Sequence, residues 1–186
     1  MNKKYKLIAF IGKSGAGKDT LAAELINNDN FNLLVSCTTR PKREGEIDGV
    51  NYHFISDNLF HEYERSGQLL ESTYFKGWNY GTPKYELQED KINVGIFNPA
   101  GIHALLKIPD IELHIYWVKA SDKIRLIRQL NRESSPDVKE IIRRYGTDEA
   151  DFSDNNITFE YKEILNEYAT DIYKAIEEIK SQHLEV

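Results

Sequence analysis

Cysteine is almost absent from this chain, since Cys37 is the only one among its 186 residues. One cysteine excludes a disulfide within the chain and fits a reducing compartment. It also argues against zinc, because the five histidines show no metal-ligand spacing that could replace cysteines. The chain has no long hydrophobic run either: the apolar stretch 7–11 is too short for a signal peptide or a membrane-spanning helix. We therefore expect a cytoplasmic protein that does not enter a membrane.

Positive charge is also in deficit, because 24 lysines and arginines face 30 aspartates and glutamates, giving a net charge of −6. This balance argues against a general nucleic-acid binder, which needs a concentrated basic surface. The arginines nevertheless gather in two places, at Arg40 and Arg43 and again between residues 125 and 144. Local clusters of this kind suit small anionic substrates.

Alternating strands and helices predict a parallel sheet covered by helices. The strand-like apolar runs are residues 6–11, 92–97 and 111–118, with helical segments between them. A chain of this length suits one domain with its own core. We predict a three-layer α/β core built from residues 1–34, 91–124 and 151–186.

Two parts of the chain interrupt this alternation. Residues 35–90 predict an inserted α+β subdomain, and residues 125–150 predict a helical lid. The elements predicted around the insertion are strands at 33–36 and 52–55, a helix over 59–66 capped by Ser56 or Asp57, and a hairpin over 69–75 that turns at Lys76-Gly77. A last amphipathic helix is predicted over 161–180.

The most specific motif is a glycine-rich loop between the first strand and the first helix. Residues 12–18 match G-x-x-x-x-G-K, in which backbone N–H groups surround a phosphate and the lysine reaches the β- and γ-phosphates. A simple glycine turn is the alternative, but the flanking strand and helix are those that a P-loop NTPase core requires. The residues predicted to bind ATP are Gly12, Lys13, Ser14, Gly15, Ala16, Gly17, Lys18, Asp19 and Thr20.

Asp19 occupies the position where such loops usually carry the serine or threonine that binds Mg²⁺. The next hydroxyl, Thr20, comes one residue later. Either Asp19 holds Mg²⁺ through water molecules, or it is an acid that only complements the helix dipole. Mg²⁺ arriving with ATP is the only metal that we expect.

A second stretch carries a resemblance to a known family. It runs from Ser36 to Phe54 with the sequence SCTTRPKREGEIDGVNYHF, and Glu71 and Tyr80-Gly81-Thr82-Pro83 follow it. In this order behind a phosphate loop, these residues resemble the GMP-binding region of guanylate kinases. The resemblance is clear up to about Arg143. It implies a nucleoside monophosphate kinase that transfers the γ-phosphoryl group of ATP to GMP or dGMP.

The residue types suit that chemistry, because Arg40 and Arg43 lie three apart in a polar loop and can clamp a monophosphate. A carboxylate at Glu71 can accept from guanine N1–H and the 2-amino group together. Singly, each residue also has an ordinary explanation, as a solvated arginine, a core tyrosine or an exposed acid. By resemblance, the phosphate is held by Arg40, Arg43, Tyr52 and Tyr80, the guanine edge is read by Ser36, Glu71 and Thr82, and Gly81 belongs to the same site.

The resemblance fails at the end of the next strand. Guanylate kinases carry an Asp-Ile-Asp type sequence there, whereas this chain has Ile96-Phe97-Asn98. We keep Asn98 in the predicted GMP site. Because asparagine replaces the family's aspartate there, both the base selectivity and the binding of Mg²⁺ can differ from those of guanylate kinases. We hypothesise that the carboxylate of Asp19 replaces electrostatically the one missing at Asn98.

Five arginines follow in the predicted lid. Arg125, Arg128 and Arg132 share a helical face, and Arg143 and Arg144 lie on the next helix. Lid arginines neutralise a transferring phosphoryl group and exclude water, although a solvated basic helix is the plain alternative. By resemblance, Arg125 and Arg144 are expected to be surface charge. The predicted catalytic residues are Lys18, Arg128, Arg132 and Arg143.

Two other functions stay open from the sequence. One is a deoxynucleoside monophosphate kinase of other or broader base specificity. The other is an inactive guanylate kinase-like module that binds proteins, although its phosphate-loop lysine, clamp arginines and lid arginines are all present. The expected partners are ATP and a nucleoside monophosphate, with neither nucleic acid nor membrane, and the expected assembly is a monomer or small homo-oligomer.

Overall fold

A computed structural model describes residues 4–132 and 134–184. In this part of the chain the strands are β1 (Tyr5–Ile11), β2 (Phe31–Leu33), β3 (Cys37–Thr38), β4 (His53–Phe54), β5 (Leu69–Phe75), β6 (Trp78–Pro83), β7 (Ile92–Ile96), β8 (Ile111–Lys119) and β9 (Lys162–Leu165). The helices are α1 (Lys18–Leu25), α2 (Asp57–Arg65), α3 (Pro99–Leu105), α4 (Asp122–Asn131), α5 (Val138–Asp151) and α6 (Ala169–His183).

Five strands form a parallel sheet in the order β2-β7-β1-β8-β9. The central strand is β1, in which Ile8 pairs with Val94 of β7. Successive residues from Leu7 to Ile11 alternate between two buried clusters, one formed with α1 and α6 and the other with α3. Because β1 is covered on both faces from Leu7 to Ile11, its sequence there is apolar without interruption. This arrangement confirms the predicted three-layer α/β core.

A second sheet, in the order β4-β3-β6-β5, forms the inserted subdomain together with α2. Its strands β5 and β6 are an antiparallel hairpin. The turn residues Lys76 and Gly77 have φ angles of 52° and 85°, as a type I′ turn requires. Ser56 caps α2 by accepting from the N–H of Leu59. The predicted α+β insertion and its hairpin are confirmed.

The two helices that follow the core strand β8, α4 and α5, make up the predicted lid and are called the lid below. Asp137 caps α5, its side chain accepting from the N–H of Glu140. The lid boundaries predicted at 125 and 150 fall inside α4 and α5, because helix α4 begins at Asp122 and α5 ends at Asp151. None of the helices within residues 4–132 and 134–184 is long and apolar enough to cross a membrane.

Two element predictions are wrong. The strand predicted at 33–36 is divided: β2 ends at Leu33 in the core sheet, and β3 begins at Cys37 in the other sheet. The helix predicted over 161–180 begins only at Ala169, because β9 pairs in parallel with β8. Only Ile164 of β9 is buried, so this edge strand has no period-two apolar pattern. Its pairing with β8, rather than its own sequence, makes it a strand.

Candidate functional site

The phosphate loop leaves the end of β1 and enters α1 at Lys18. Two of its glycines allow other elements to approach closely. Gly15 has a φ of 80°, and a Cβ there would lie 2.6 Å from the carbonyl oxygen of Arg125. Gly17 has a φ of 104°, and a Cβ there would lie 2.2 Å from Nδ2 of Asn166. Glycine is therefore required at both positions, for backbone conformation and for space.

The amino group of Lys18 lies inside this loop. Its Nζ donates to the carbonyl oxygens of Gly12 at 2.7 Å and of Lys13 at 3.3 Å. Burial lowers the pKa of this amine, and the nearby carboxylates oppose that effect. A desolvated cation in a ring of backbone groups suits a phosphate ligand. The predicted ATP-binding residues that line an adjoining cavity of about 680 Å³ are Ser14, Gly15, Gly17, Lys18, Asp19 and Thr20.

Arg125 is buried, only 1% exposed, so the expectation that it is surface charge is wrong. Its guanidinium donates to the carbonyl oxygen of Ser14 at 3.0 Å and to Oδ2 of Asp148 at 2.8 Å. Asp148 in turn accepts from the N–H of Ser14 at 2.7 Å and from its hydroxyl at 3.2 Å. Both lid helices are thus fastened to the phosphate loop at Ser14. Helical spacing identified the face of Arg125 but not what that face contacts.

Removing the charge of Asp148 should destabilise the protein and loosen the phosphate loop. Asp148→Asn leaves the buried guanidinium of Arg125 with only one of its two carboxylate partners, the exposed Asp122, and we expect a loss of about 2 kcal/mol. Thermal unfolding should therefore occur at a lower temperature, and the KM for ATP should rise with little change in kcat. Asp154→Asn, at an exposed position beyond α5, is the matched control. Wild-type melting temperature and KM in the Asp148 variant would contradict this role.

Asn166, which the sequence analysis did not single out, holds the loop from the other side. It is fully buried, and its Nδ2 donates to the carbonyl oxygen of Ala16 at 2.7 Å. Its Oδ1 accepts from Nη2 of Arg128 at 3.3 Å. The residue was missed because it follows β9, whose residues lie inside the helix predicted over 161–180. Asn166 would have been found if β9 had been recognised as a strand, because the residue would then follow a strand of the parallel sheet, beside the phosphate loop.

A second cavity, of about 720 Å³, lies between the inserted subdomain and the lid. The predicted functional residues that line it are Arg40, Arg43, Tyr52 and Tyr80 from the subdomain and Arg132 and Arg143 from the lid. Ser14, Asp19 and Arg132 line this cavity and also the one beside the phosphate loop. Glu140 and Arg144 also line both cavities, so ligands in the two cavities would meet near these five residues. Arg128 lines the cavity beside the phosphate loop.

Arg40 is held in place by an acid of its own loop. Its guanidinium donates to both oxygens of Glu46, at 2.7 and 2.9 Å, and Glu46 also accepts from the N–H of Arg43 at 2.7 Å. These contacts lower the pKa of Glu46 to about 2. The guanidinium carbon lies 5.6 Å from the ring centre of Tyr52, whose ring is 5.9 Å from that of Tyr80. Arg40 is therefore oriented before any ligand binds.

Hydrogen bonds join the three residues predicted to read the guanine edge. The hydroxyl of Ser36 lies 3.1 Å from that of Thr82, which donates to Oε1 of Glu71 at 2.8 Å. Burial raises the pKa of Glu71, and the hydrogen bonds from Thr82 oppose this shift. A Cβ on Gly81 would lie 2.8 Å from the carbonyl oxygen of Glu71, so glycine lets β6 approach β5 here.

Asn98 has a structural role at the end of β7. Its Oδ1 accepts from the N–H of Gly101 at 2.8 Å and so caps α3. An asparagine at this position is therefore accounted for without a ligand, because it is among the best N-cap residues. Contact between Asn98 and GMP stays a prediction.

The central parallel sheet, the glycine loop after its first strand and the enclosed lysine define a P-loop protein of the α/β class. A family model described as guanylate kinase matches residues 4–183. The chain belongs to the guanylate kinase family.

Individual relatives agree over parts of the chain. A guanylate kinase of Sphingopyxis alaskensis is 34% identical over 139 residues, which are 74% of this chain and 54% of the relative. One from Lactococcus lactis subsp. lactis is 37% identical over 60% of this chain and 62% of the relative, and one from Clostridioides difficile is 48% identical over 47% and 43%. The chain thus spans about half the length of the curated relatives it matches.

A solved structure shares the fold. The crystal structure of guanylate kinase from Anaplasma phagocytophilum superposes with a TM-score of 0.61, covering 100% of this chain and 90% of that one. The sequence identity is 17%, so this likeness concerns the fold alone.

Proposed function

We propose that this protein transfers the γ-phosphoryl group of ATP to GMP or dGMP, giving ADP and GDP or dGDP. The observation that carries the proposal is the junction of two cavities at Ser14, Asp19 and Arg132. One cavity adjoins the phosphate loop, which suits the triphosphate of the donor. The other contains the oriented guanidinium of Arg40, which suits the phosphate of the acceptor.

The transfer step requires alignment and charge neutralisation rather than a general base, because the acceptor phosphate already carries an anionic oxygen at neutral pH. That oxygen forms a bond to the γ-phosphorus as the bond from this phosphorus to the β–γ bridging oxygen breaks. ADP leaves with the electron pair. Lys18 binds the β- and γ-phosphates, and the lid arginines that neutralise the transferring group are Arg128, Arg132 and Arg143.

Mg²⁺ is the cofactor that this reaction implies. Among the described residues, no group of three or more histidines, cysteines, aspartates and glutamates could hold a metal ion. Asp19 lines both cavities, so its carboxylate can join phosphate oxygens and water in the oxygen shell that Mg²⁺ prefers. Mg²⁺ bound there would neutralise phosphate charge, and Asp19 would orient its water ligands.

A coupled assay of ADP formation tests the proposal with Mg²⁺, ATP and a panel of acceptors: AMP, GMP, CMP, UMP and their deoxy forms. We expect GMP and dGMP to exceed the others by at least about 10²-fold in kcat/KM, because a buried carboxylate facing adenine or a pyrimidine would lack its two donors. A preference for another base would replace the guanine assignment with broader or different specificity. Absence of transfer to every acceptor would favour the inactive interaction module.

A further inference from the structure

The turn of the β5–β6 hairpin touches the lid across the acceptor cavity. Nζ of Lys76 donates to Oε2 of Glu140 on α5 at 2.5 Å. One residue earlier, the ring of Phe75 lies 4.9 Å from the guanidinium carbon of Arg143. The four residues involved, Phe75, Lys76, Glu140 and Arg143, all line the 720 Å³ cavity. The inserted subdomain and the lid therefore meet directly at the rim of the predicted acceptor site.

Glu140 is the centre of this contact. Arg143 donates to both of its oxygens, from Nε at 2.8 Å and from Nη2 at 2.9 Å. Arg144 donates from Nε to Oε1 at 3.0 Å. Because three cations surround it, with Arg143 contributing most, the pKa of Glu140 lies well below its usual range. The cluster of one carboxylate and three cations carries a net positive charge, so it still attracts a phosphate in the cavity.

The orientation of Arg143 follows from these contacts. Glu140 binds one edge of its guanidinium, Nη1 donates to the hydroxyl of Thr147 at 3.1 Å, and the ring of Phe75 covers one face. Bidentate pairing with a carboxylate fixes the plane of an arginine more strictly than a single bond does. The same carboxylate binds Lys76, so the docking of the hairpin and the orientation of Arg143 depend on one side chain.

We propose that Glu140 is a positioning residue that couples the acceptor subdomain to the lid: by binding Lys76 and Arg143 together, it orients Arg143 when the hairpin docks. The proposal rests on the proposed function only in that Arg143 acts on the transferring phosphoryl group. Although Glu140 lines both cavities, its carboxylate oxygens are bonded by Lys76, Arg143 and Arg144, so it acts through these cations rather than on a substrate.

Steady-state kinetics of three variants test the coupling. Glu140→Gln should lower kcat by roughly 30-fold, because a small displacement of a catalytic group is enough for such a loss, with the KM for ATP within about threefold of wild type. Lys76→Met should lower kcat by about fivefold and raise the KM for the acceptor, and the double variant should lose little more than Glu140→Gln alone. Glu140→Asp, which keeps the charge, should retain more activity than Glu140→Gln.

Glu177→Gln is the control for removing a paired glutamate charge, because Glu177 pairs with Lys180 on the exposed surface of α6, away from the cavity. It should behave as wild type, and the melting temperatures of all the variants should stay close together. Wild-type kcat in Glu140→Gln would overturn the proposal. Losses that multiply in the double variant would also overturn it, because Lys76 would then act independently of Glu140.

Accessibility of Trp78 supplies a test that does not require activity. Trp78 begins β6 next to the turn and lines the cavity. In a Trp117→Phe background, where Trp78 is the only tryptophan, acrylamide should quench its fluorescence more strongly after Lys76→Met or Glu140→Gln, but not after Glu177→Gln. If the wild type transferred nothing to GMP, the proposed function would fail. The quenching measurement would still show whether the hairpin docks on the lid through Lys76 and Glu140. Unchanged quenching would overturn the contact itself.

Discussion

Replacing Lys18 with methionine should lower kcat for phosphoryl transfer by about 10³-fold, or about 4 kcal/mol of transition-state stabilisation. The Nζ atom is enclosed by the loop, where it donates to the carbonyl oxygens of Gly12 and Lys13. Charge grows on the oxygen between the β- and γ-phosphates as the bond breaks, and the lysine neutralises it there. Methionine keeps the approximate length of the side chain and removes the charge together with the N–H donors.

The control is Lys123→Met, an exposed lysine on α4, which should keep wild-type kinetics. The Lys18 variant should also keep its fold, since burial opposes the charged amine in the ligand-free protein. A melting temperature at or above that of the wild type, combined with lost transfer, would separate catalysis from stability. Residual activity within tenfold of the wild type would exclude the assigned role.

Glu71→Gln should lower kcat/KM for GMP by roughly 10³-fold, because the glutamine amide presents an N–H donor where guanine also presents donors. The carboxylate of Glu71 already accepts from Thr82, and Ser36 joins the same network, so the site is organised around a negative acceptor. The activity should fall for GMP and dGMP but not for the other acceptors. An equal loss with every acceptor would mean that Glu71 supports the fold rather than reading the base.

In the ligand-free protein, the ionised carboxylate of Glu71 lowers the stability of the fold. Its pKa is raised by burial, so the folded protein binds this proton more tightly than the unfolded chain does. The contribution of this group to stability is therefore greatest below the ordinary glutamate pKa, and it is lost as pH rises through the raised value. At neutral pH, Glu71→Gln should melt at a higher temperature than the wild type, whereas Glu62→Gln on the exposed face of α2 should not. Acceptor KM in the wild type should rise as pH falls towards the pKa of Glu71.

The fold was predictable where the pattern is local. The apolar run of β1 and the loop to Lys18 require no distant partner to be recognised, and the type I′ turn at Lys76-Gly77 is set by its own residues. Strand β9 was not predictable, because its residues are mostly exposed and only β8 completes its hydrogen bonds. The error at β9 also concealed Asn166.

The arginines of the predicted lid show what helical spacing can predict and what it cannot. Arg125, Arg128 and Arg132 do share a helical face, but their neighbours differ: Arg125 is buried against Ser14 and Asp148, whereas Arg132 lies where the two cavities meet. Helical spacing alone does not distinguish an arginine that is buried against an aspartate from an arginine that lines a cavity. Whether Arg128, Arg132 and Arg143 are catalytic stays a prediction.

The sequence by itself determined the class of fold, the phosphate loop and the resemblance to one family, because these depend on residues that are neighbours in the chain. Only the tertiary structure decided how the loop is held. Asp148 binds Ser14 across 134 positions, and Glu140 binds Lys76 across 64. Contacts of this kind depend on how the lid packs over the loop and the hairpin, and helical periodicity carries no information on that packing.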